Sequence, residues 1–248
     1  MIKPIVVANW KMNPATFREA KRLFDVTKKA ADKAKNVSLV VAPPALYLRD
    51  FAAGYRGKRI SFAIQDVYYA SSGAYTGGIS LGQARDAGAS HVIVGHSERR
   101  AAGETNEDTR KKVLAALAAR MTPIFCVGEA ERTTSGTHLN FIKEQLLAGF
   151  ADVPAAQVAR VIVAYEPIWA IGLETAMSPR NMQEMSILIR KTIVDSHGQG
   201  GHKIKIIYGG AITEKNAPAM MRDGDVHGLL VGHVSIDAKR FTALLKSL

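Results

Sequence analysis

The segment RVIVAYEPIWAIG, residues 160–172, starts as an unbroken run of strand formers from Val161 to Tyr165 and then stops abruptly at a carboxylate, Glu166. A short run that is apolar on both faces is a strand covered on both sides, the environment of a parallel sheet. Pro167 fixes the next backbone angle, Trp169 and Gly172 follow, and helical spacing takes over from about 179 to 196. The segment is therefore one strand-then-helix unit with a polar residue where the strand ends.

The same unit recurs in both directions. Upstream lie PIVVANW (4–10) before a helix at about 16–35, VSLVVAP (37–43) before 44–55, and RISFAIQ (59–65) before a glycine- and serine-rich loop and a helix near 80–88. HVIVGH (91–96) precedes helices over 97–120, and TPIFCVGE (122–129) precedes one near 137–150. Downstream, IKIIYGG (204–210) precedes 213–222, and VHGLLVG (226–232) precedes 237–247. That makes eight units in 248 residues, the number and length of a (β/α)8 barrel. An open doubly wound sheet would usually carry G-x-G-x-x-G after its first strand, where this chain has NWKMN. With no linker, low-complexity stretch or shift in composition, the expectation is a single barrel domain over 1–248.

Composition fits a globular chain, with 47% apolar and 22% charged residues. No apolar run is long enough to span a bilayer, and MIKPIVVANW lacks the pattern of a signal peptide. The lone Cys126 allows no internal disulfide and no cysteine metal site, so the expected setting is a reducing cytoplasm, with no metal, no membrane and Cys126 in the core. The net charge of +11 raises nucleic acid as a partner. Much of that charge lies in residues 21–35, however, where Phe17, Ala20, Leu23, Phe24, Ala30, Ala31 and Ala34 recur at helical spacing and leave the lysines on the outer face. The one aromatic among them, Phe24, belongs to the apolar face, and no zinc-finger or single-strand-binding pattern is present, so nucleic acid is not the expected partner.

Active sites of parallel barrels lie at the C-terminal ends of the strands. The polar residues there are Asn9 and Lys11, Gln65 and Asp66, His96 and Glu98, Glu129, Glu166, the pair Gly209-Gly210, and Gly232 with His233. Taken singly, each has a plainer reading as a solvated carboxylate, a structural histidine, a surface lysine or a turn. Together, Lys11, His96 and Glu166 can move protons or stabilise an oxyanion, and the glycine pairs can cradle phosphate.

NWKMN (9–13), GAYTG (73–77), VIVGHSERR (92–100), GETNEDTRKKVLAAL (103–117), PIFCVGE (123–129), AYEPIWAIG (164–172), YGG (208–210) and LLVG (229–232) run in order from end to end of the chain. In these blocks the chain resembles the triosephosphate isomerases, whose base, imidazole and lid are a standard worked case. The resemblance implies Glu166 as the base, a neutral His96 as the electrophile, Lys11 and Asn9 as stabilisers of the enediolate and orienters of the substrate, and Glu98 as a partner of the lysine. A histidine ahead of a helix start also feels positive potential, which disfavours imidazolium. Phosphate would be held by Asn9, Lys11, Gly172, Ala211, Gly232 and His233. Pro167, Ile168, Trp169, Ala170, Ile171, Gly172, Leu173, Glu174, Thr175 and Ala176 would form a lid. Thr76 would enter the neighbouring subunit of a homodimer, and no cofactor is implied.

The chain departs from the family pattern in places. The usual lid AIGTGKTA reads AIGLETAMS here (170–178), Ala211 replaces a serine, His233 replaces a glycine, and the loop motif TGE is Thr76-Gly77-Gly78. None of these removes a group that does chemistry. They leave room for a second reading, an isomerase of a slightly longer ketose phosphate such as a tetrulose phosphate. A third, a non-catalytic basic protein on the same scaffold, is opposed by the intact set Asn9, Lys11, His96 and Glu166.

Overall fold

The computed structural model describes residues 3–133, 136–171 and 177–248. Its strands are β1 (Ile5–Asn9), β2 (Ser38–Ala42), β3 (Ile60–Ile64), β4 (His91–Val94), β5 (Thr122–Val127), β6 (Ile162–Tyr165), β7 (Lys205–Tyr208) and β8 (Gly228–Val231). They close into a parallel barrel in chain order, with Ile5 opposite Gly228 and Ala8 opposite Val231 at the seam. Outside the strands pack α1 (Phe17–Lys33), α2 (Ala45–Gly54), α3 (Leu81–Asp86), α4 (Ser97–Ala101), α5 (Asn106–Ala118), α6 (Thr137–Phe150), α7 (Pro179–His197), α8 (Ala217–Asp223) and α9 (Ala238–Ser247). This is the (β/α)8 barrel expected from the strand-then-helix alternation. No described helix is long and apolar enough to cross a membrane.

Local chemistry explains the boundaries. Thr16 and Glu19 close a reciprocal cap on α1, which buries Ala20, Leu23, Phe24, Ala30 and Ala31 and leaves Lys21, Lys29 and Lys33 exposed. The basic charge of this segment is a solvated face. α8 begins at Ala217 instead of 213 because Thr213 and Asn216 bond each other's backbone N–H, and the Asn216 amide also donates to Ala211 O at 3.0 Å. Such side-chain bonds compete with the helix. Single 3-10 turns at Ala155–Arg160, Ile168–Ala170, Gly198–Lys203 and His233–Ile236 are too short to leave a periodic pattern.

Alternation along the strands determines what reaches the mouth. Ile5 and Val7, Ile124 and Cys126, Ile162 and Ala164, Ile207, and Leu230 fill the barrel interior. Two residues further along the same rows come Asn9, Gly128, Glu166, Gly209 and Gly232. The glycines make room: a Cβ on Gly128 would collide with the Glu166 carbonyl oxygen, and one on Gly209 would lie 3.0 Å from Glu166 Cγ.

The opposite end of the barrel carries a pH-sensitive contact. His91 opens β4, with Nδ1 2.8 Å from Ser90 Oγ. Burial, and then the charge of Lys205, push its pKa down to about 4. Burial and Arg190 lower His227 in the same direction. Because the folded pKa of His91 lies below the unfolded value of about 6.5, its contribution is intact above pH 6.5. It is lost as the pH falls toward 4, and is worth about 2–3 kcal/mol in all. Urea midpoints at pH 7.5 and pH 5 should therefore fall further in the wild type than in His91→Gln. Equal falls would show that His91 is not the group responsible.

Candidate active site

A cavity of about 1040 Å³ opens at the C-terminal mouth of the barrel. Asn9, Lys11, His96, Glu166, Gly209, Gly210, Ala211, Gly232 and His233 all line it. These strand-end residues meet in one space, while Gln65, Asp66, Glu98 and Glu129 stand outside its lining.

Lys11 lies two residues beyond the end of β1 with φ +52, a left-handed conformation that strains any residue but glycine. Three hydrogen bonds hold it there. Its backbone N–H donates to Asn9 Oδ1 at 3.1 Å, and Gln65 Nε2 donates to both Lys11 O and Ala42 O at 2.9 Å. The ammonium is 2.6 Å from Glu98 Oε1, as the expected pairing of Glu98 with the lysine region requires.

His96 caps the start of α4. Its Nδ1 accepts from the Glu98 N–H at 3.2 Å, which leaves the ring proton on Nε2. Nε2 lies 3.1 Å from Glu166 Oε1, and the Ser97 N–H donates to Glu166 Oε2 at 3.0 Å. Both His96 and Glu166 are buried, at 6% and 2% exposed.

The expectation that the helix start lowers the His96 pKa needs correction. Burial is the largest influence and does push it down, but the charge and hydrogen bond of Glu166, with help from Glu98, outweigh burial and set the net direction upward. α4 has only five residues and so contributes little dipole. Geometry acts the other way: an imidazolium would turn an Nδ1–H toward the Glu98 N–H, donor against donor. The upward pull ends once Glu166 leaves Nε2 or takes up a proton.

The segment after Glu166 is anchored by a residue to which the strand-end inventory gave no role. Glu129 Oε1 accepts from Tyr165 OH at 2.7 Å and from Trp169 Nε1 at 2.9 Å, and Glu129 O accepts from the Ile168 N–H at 3.0 Å. The Arg132 guanidinium sits over the Trp169 ring at 5.6 Å. Pro167, Ile168, Trp169, Ala170 and Ile171 thus form a braced turn. Gly172, Leu173, Glu174, Thr175 and Ala176 lie outside the described residues, so the lid tip and the phosphate contact expected of Gly172 do too. On the far side Ser178 caps α7, with Pro179 in its first turn. Tyr208, the first residue of YGG, has a buried OH that finds no hydrogen-bond partner among the described residues, and burial pushes its phenol up to about 12.

At the end of β8, Gly232 brings the backbone against Lys11: a Cβ there would be 3.4 Å from Lys11 Cε. His233 begins a 3-10 turn, keeps a negative φ and is exposed. The backbone can therefore face the cavity without the glycine usual at this position. Thr76 stands on an exposed loop whose Tyr75 packs on Tyr68 at 4.3 Å. No cluster of three or more His, Cys, Asp or Glu among the described residues is arranged to hold a metal.

Residues 4–248 match the family model described as triosephosphate isomerase. Proteins named triosephosphate isomerase from Endomicrobium trichonymphae and Citrifermentans bemidjiense are 40% and 39% identical to it, each comparison covering 99% of both chains. The protein of that name from Moorella thermoacetica is 38% identical over 99% of this chain and 98% of its own. With a family match over nearly its whole length and relatives of this closeness, the chain belongs to the triosephosphate isomerase family.

Proposed function

We propose that Glu166, His96, Lys11 and Asn9 interconvert dihydroxyacetone phosphate and D-glyceraldehyde 3-phosphate through an enediolate, with no cofactor. The chain is an isomerase of this family. The observation that carries the assignment of roles is the pair Glu166 Oε1 and His96 Nε2, 3.1 Å apart in a cavity that is also lined by Gly209, Gly210 and Gly232. Glu166 leaves its resting partners and takes a proton from the carbon beside the carbonyl, then returns it to the neighbouring carbon. His96 donates Nε2–H to the developing oxyanion and relays the hydroxyl proton from one substrate oxygen to the other, and the Lys11 ammonium and Asn9 amide stabilise the enediolate from the β1 side. The N–H groups of Ala211, Gly232 and His233, with Gly172, bind the phosphate. Closure of the lid excludes water, which keeps the enediolate from losing phosphate.

A coupled assay tests this. Triose phosphate should turn over at a higher kcat/KM than a tetrulose phosphate, and the activity should vanish in Glu166→Ala. Preference for the longer substrate, or no turnover of triose phosphate, would overturn the assignment.

The proposed state is a cytoplasmic homodimer, with Thr76 reaching the neighbouring Asn9 and Lys11. Support comes from large apolar side chains left in solvent on and near the same loops: Met12 is 92% exposed, Leu46 87% and Tyr75 47%. Such a surface on a lone chain marks a contact. The mass in solution at micromolar concentration should be twice the 26.8 kDa of one chain. A fully active species of single-chain mass would refute it.

A further inference from the structure

His96 reaches the cavity because β4 loses its alternation just before it. Ile93 faces the barrel interior, so a regular strand would next turn residues 95 and 97 inward. Gly95 instead adopts φ +71, and the resulting turn presents His96. Arg100 reaches back beneath this turn. Its Nε donates to Gly95 O at 2.9 Å and its Nη1 donates to Asn106 Oδ1 at 2.8 Å. Nη2 is buried, 3.0 Å from where a Cβ on Gly95 would stand.

This is an unusual place for a guanidinium. The neighbouring carboxylates are held by other cations: Lys112 lies 2.7 Å from Glu104 and 2.6 Å from Asp66, and Arg99 lies 2.9 Å from Asp66. Arg100 itself has no carboxylate within 4.0 Å among the described residues. A largely buried cation without an ion pair carries a desolvation cost that an apolar side chain would avoid. What the guanidinium secures is the Gly95 carbonyl. The peptides that follow are the functional ones, since Ser97 N–H meets Glu166 and Glu98 N–H meets His96 Nδ1. With five residues, α4 is too short to fix its own first turn.

We propose that Arg100 is a positioning residue for the isomerisation, fixing the Gly95 turn and, through it, the aim and tautomer of His96. The inference rests on the role proposed above for His96. It is tested by a signal that does not depend on turnover, so the two can fail separately.

The experiment compares Arg100→Gln and Arg100→Lys with the wild type, by steady-state kinetics and by ¹⁵N NMR of the His96 ring without substrate. The wild-type ring should show one bare Nδ1 and one protonated Nε2. Arg100→Gln should show the two nitrogens drawn together by tautomer exchange. Its kcat should fall about thirtyfold, with KM within about twofold, the signature of a misaimed group rather than a lost binding contact. Arg100→Lys, which keeps the charge and a donor for Gly95 O, should recover part of both. If Arg100→Gln does not fold, Asn106→Ala loosens the same guanidinium from its other side and should give a smaller change of the same kind. Wild-type kcat in the variant that folds would overturn the proposal, as would a reduced kcat with unchanged His96 ring signals. Altered ring signals in an enzyme found not to act on triose phosphate would leave the positioning role standing and remove the functional one.

Discussion

Glu166→Asp is expected to lower kcat by at least about a hundredfold while moving the thermal midpoint by no more than about 4 °C. The carboxylate is set by two contacts, Ser97 N–H at 3.0 Å and His96 Nε2 at 3.1 Å, and its backbone is set by Val127 O, which accepts from the Glu166 N–H at 2.8 Å. Removing one methylene draws the acid back by more than 1 Å while the strand end stays where it is. A base displaced that far from a C–H bond loses orders of magnitude, because proton transfer from carbon depends steeply on distance. Folding loses little: one methylene is worth about 0.8 kcal/mol, and the void opens into a solvent-filled cavity. Steady-state kinetics and a thermal melt on the same preparation check both halves. A kcat within threefold of wild type would remove Glu166 from the role of base.

The fold was legible because each strand is apolar on both faces and each helix is amphipathic, so the switch between the two periods marks every boundary to within a few residues. The site was legible because barrel geometry sends strand ends to one rim, where Lys11, His96 and Glu166 stand out by their chemistry, and the resemblance to the triosephosphate isomerases added Asn9. The groups that brace these four were harder to read. Gln65 and Glu129 stood in the strand-end set with no role, because their partners, Lys11 O and the Tyr165–Trp169 pair, lie 54, 36 and 40 residues away in sequence. Arg100 is only the last residue of VIVGHSERR in the sequence, and the turn at Gly95 reveals which carbonyl it holds. The direction of the His96 pKa went astray for a similar reason. Position before a helix was visible, but the distance to the Glu166 carboxylate is a property of the closed barrel.

Lys11→Gly is expected to separate catalysis from stability more completely than any other substitution at the site. The ammonium stands in the cavity with Asn9 and His96, 2.6 Å from Glu98 Oε1, and the proposed mechanism brings both the phosphate and the developing oxyanion to it. Loss of a single fixed donor to such an oxyanion costs about 10²–10³ in rate, and here a full charge goes with it, so kcat/KM should fall at least about a thousandfold. Stability should not follow. At φ +52 a lysine is strained by about 1 kcal/mol, which glycine relieves. Against that stand the greater freedom of glycine in the unfolded chain, about 0.5–1 kcal/mol, and the loss of an ion pair whose partners are 30% and 58% exposed, worth about 1 kcal/mol at most. The bonds to Asn9 Oδ1 and from Gln65 Nε2 use the Lys11 backbone and survive. Lys11→Ala provides the contrast. It loses the same ammonium but keeps a Cβ in the left-handed region, so it should match Lys11→Gly in activity. With strain of about 1 kcal/mol set against the roughly 0.5–1 kcal/mol that glycine's freedom costs, it should be no more stable than Lys11→Gly despite lacking that cost. Kinetics and urea unfolding of the two variants measure this directly. If Lys11→Gly retains more than a tenth of the wild-type kcat/KM, the ammonium is not central to the reaction. If Lys11→Ala is more stable than Lys11→Gly by about 0.5–1 kcal/mol, the full cost of glycine's freedom, the backbone at Lys11 is not strained.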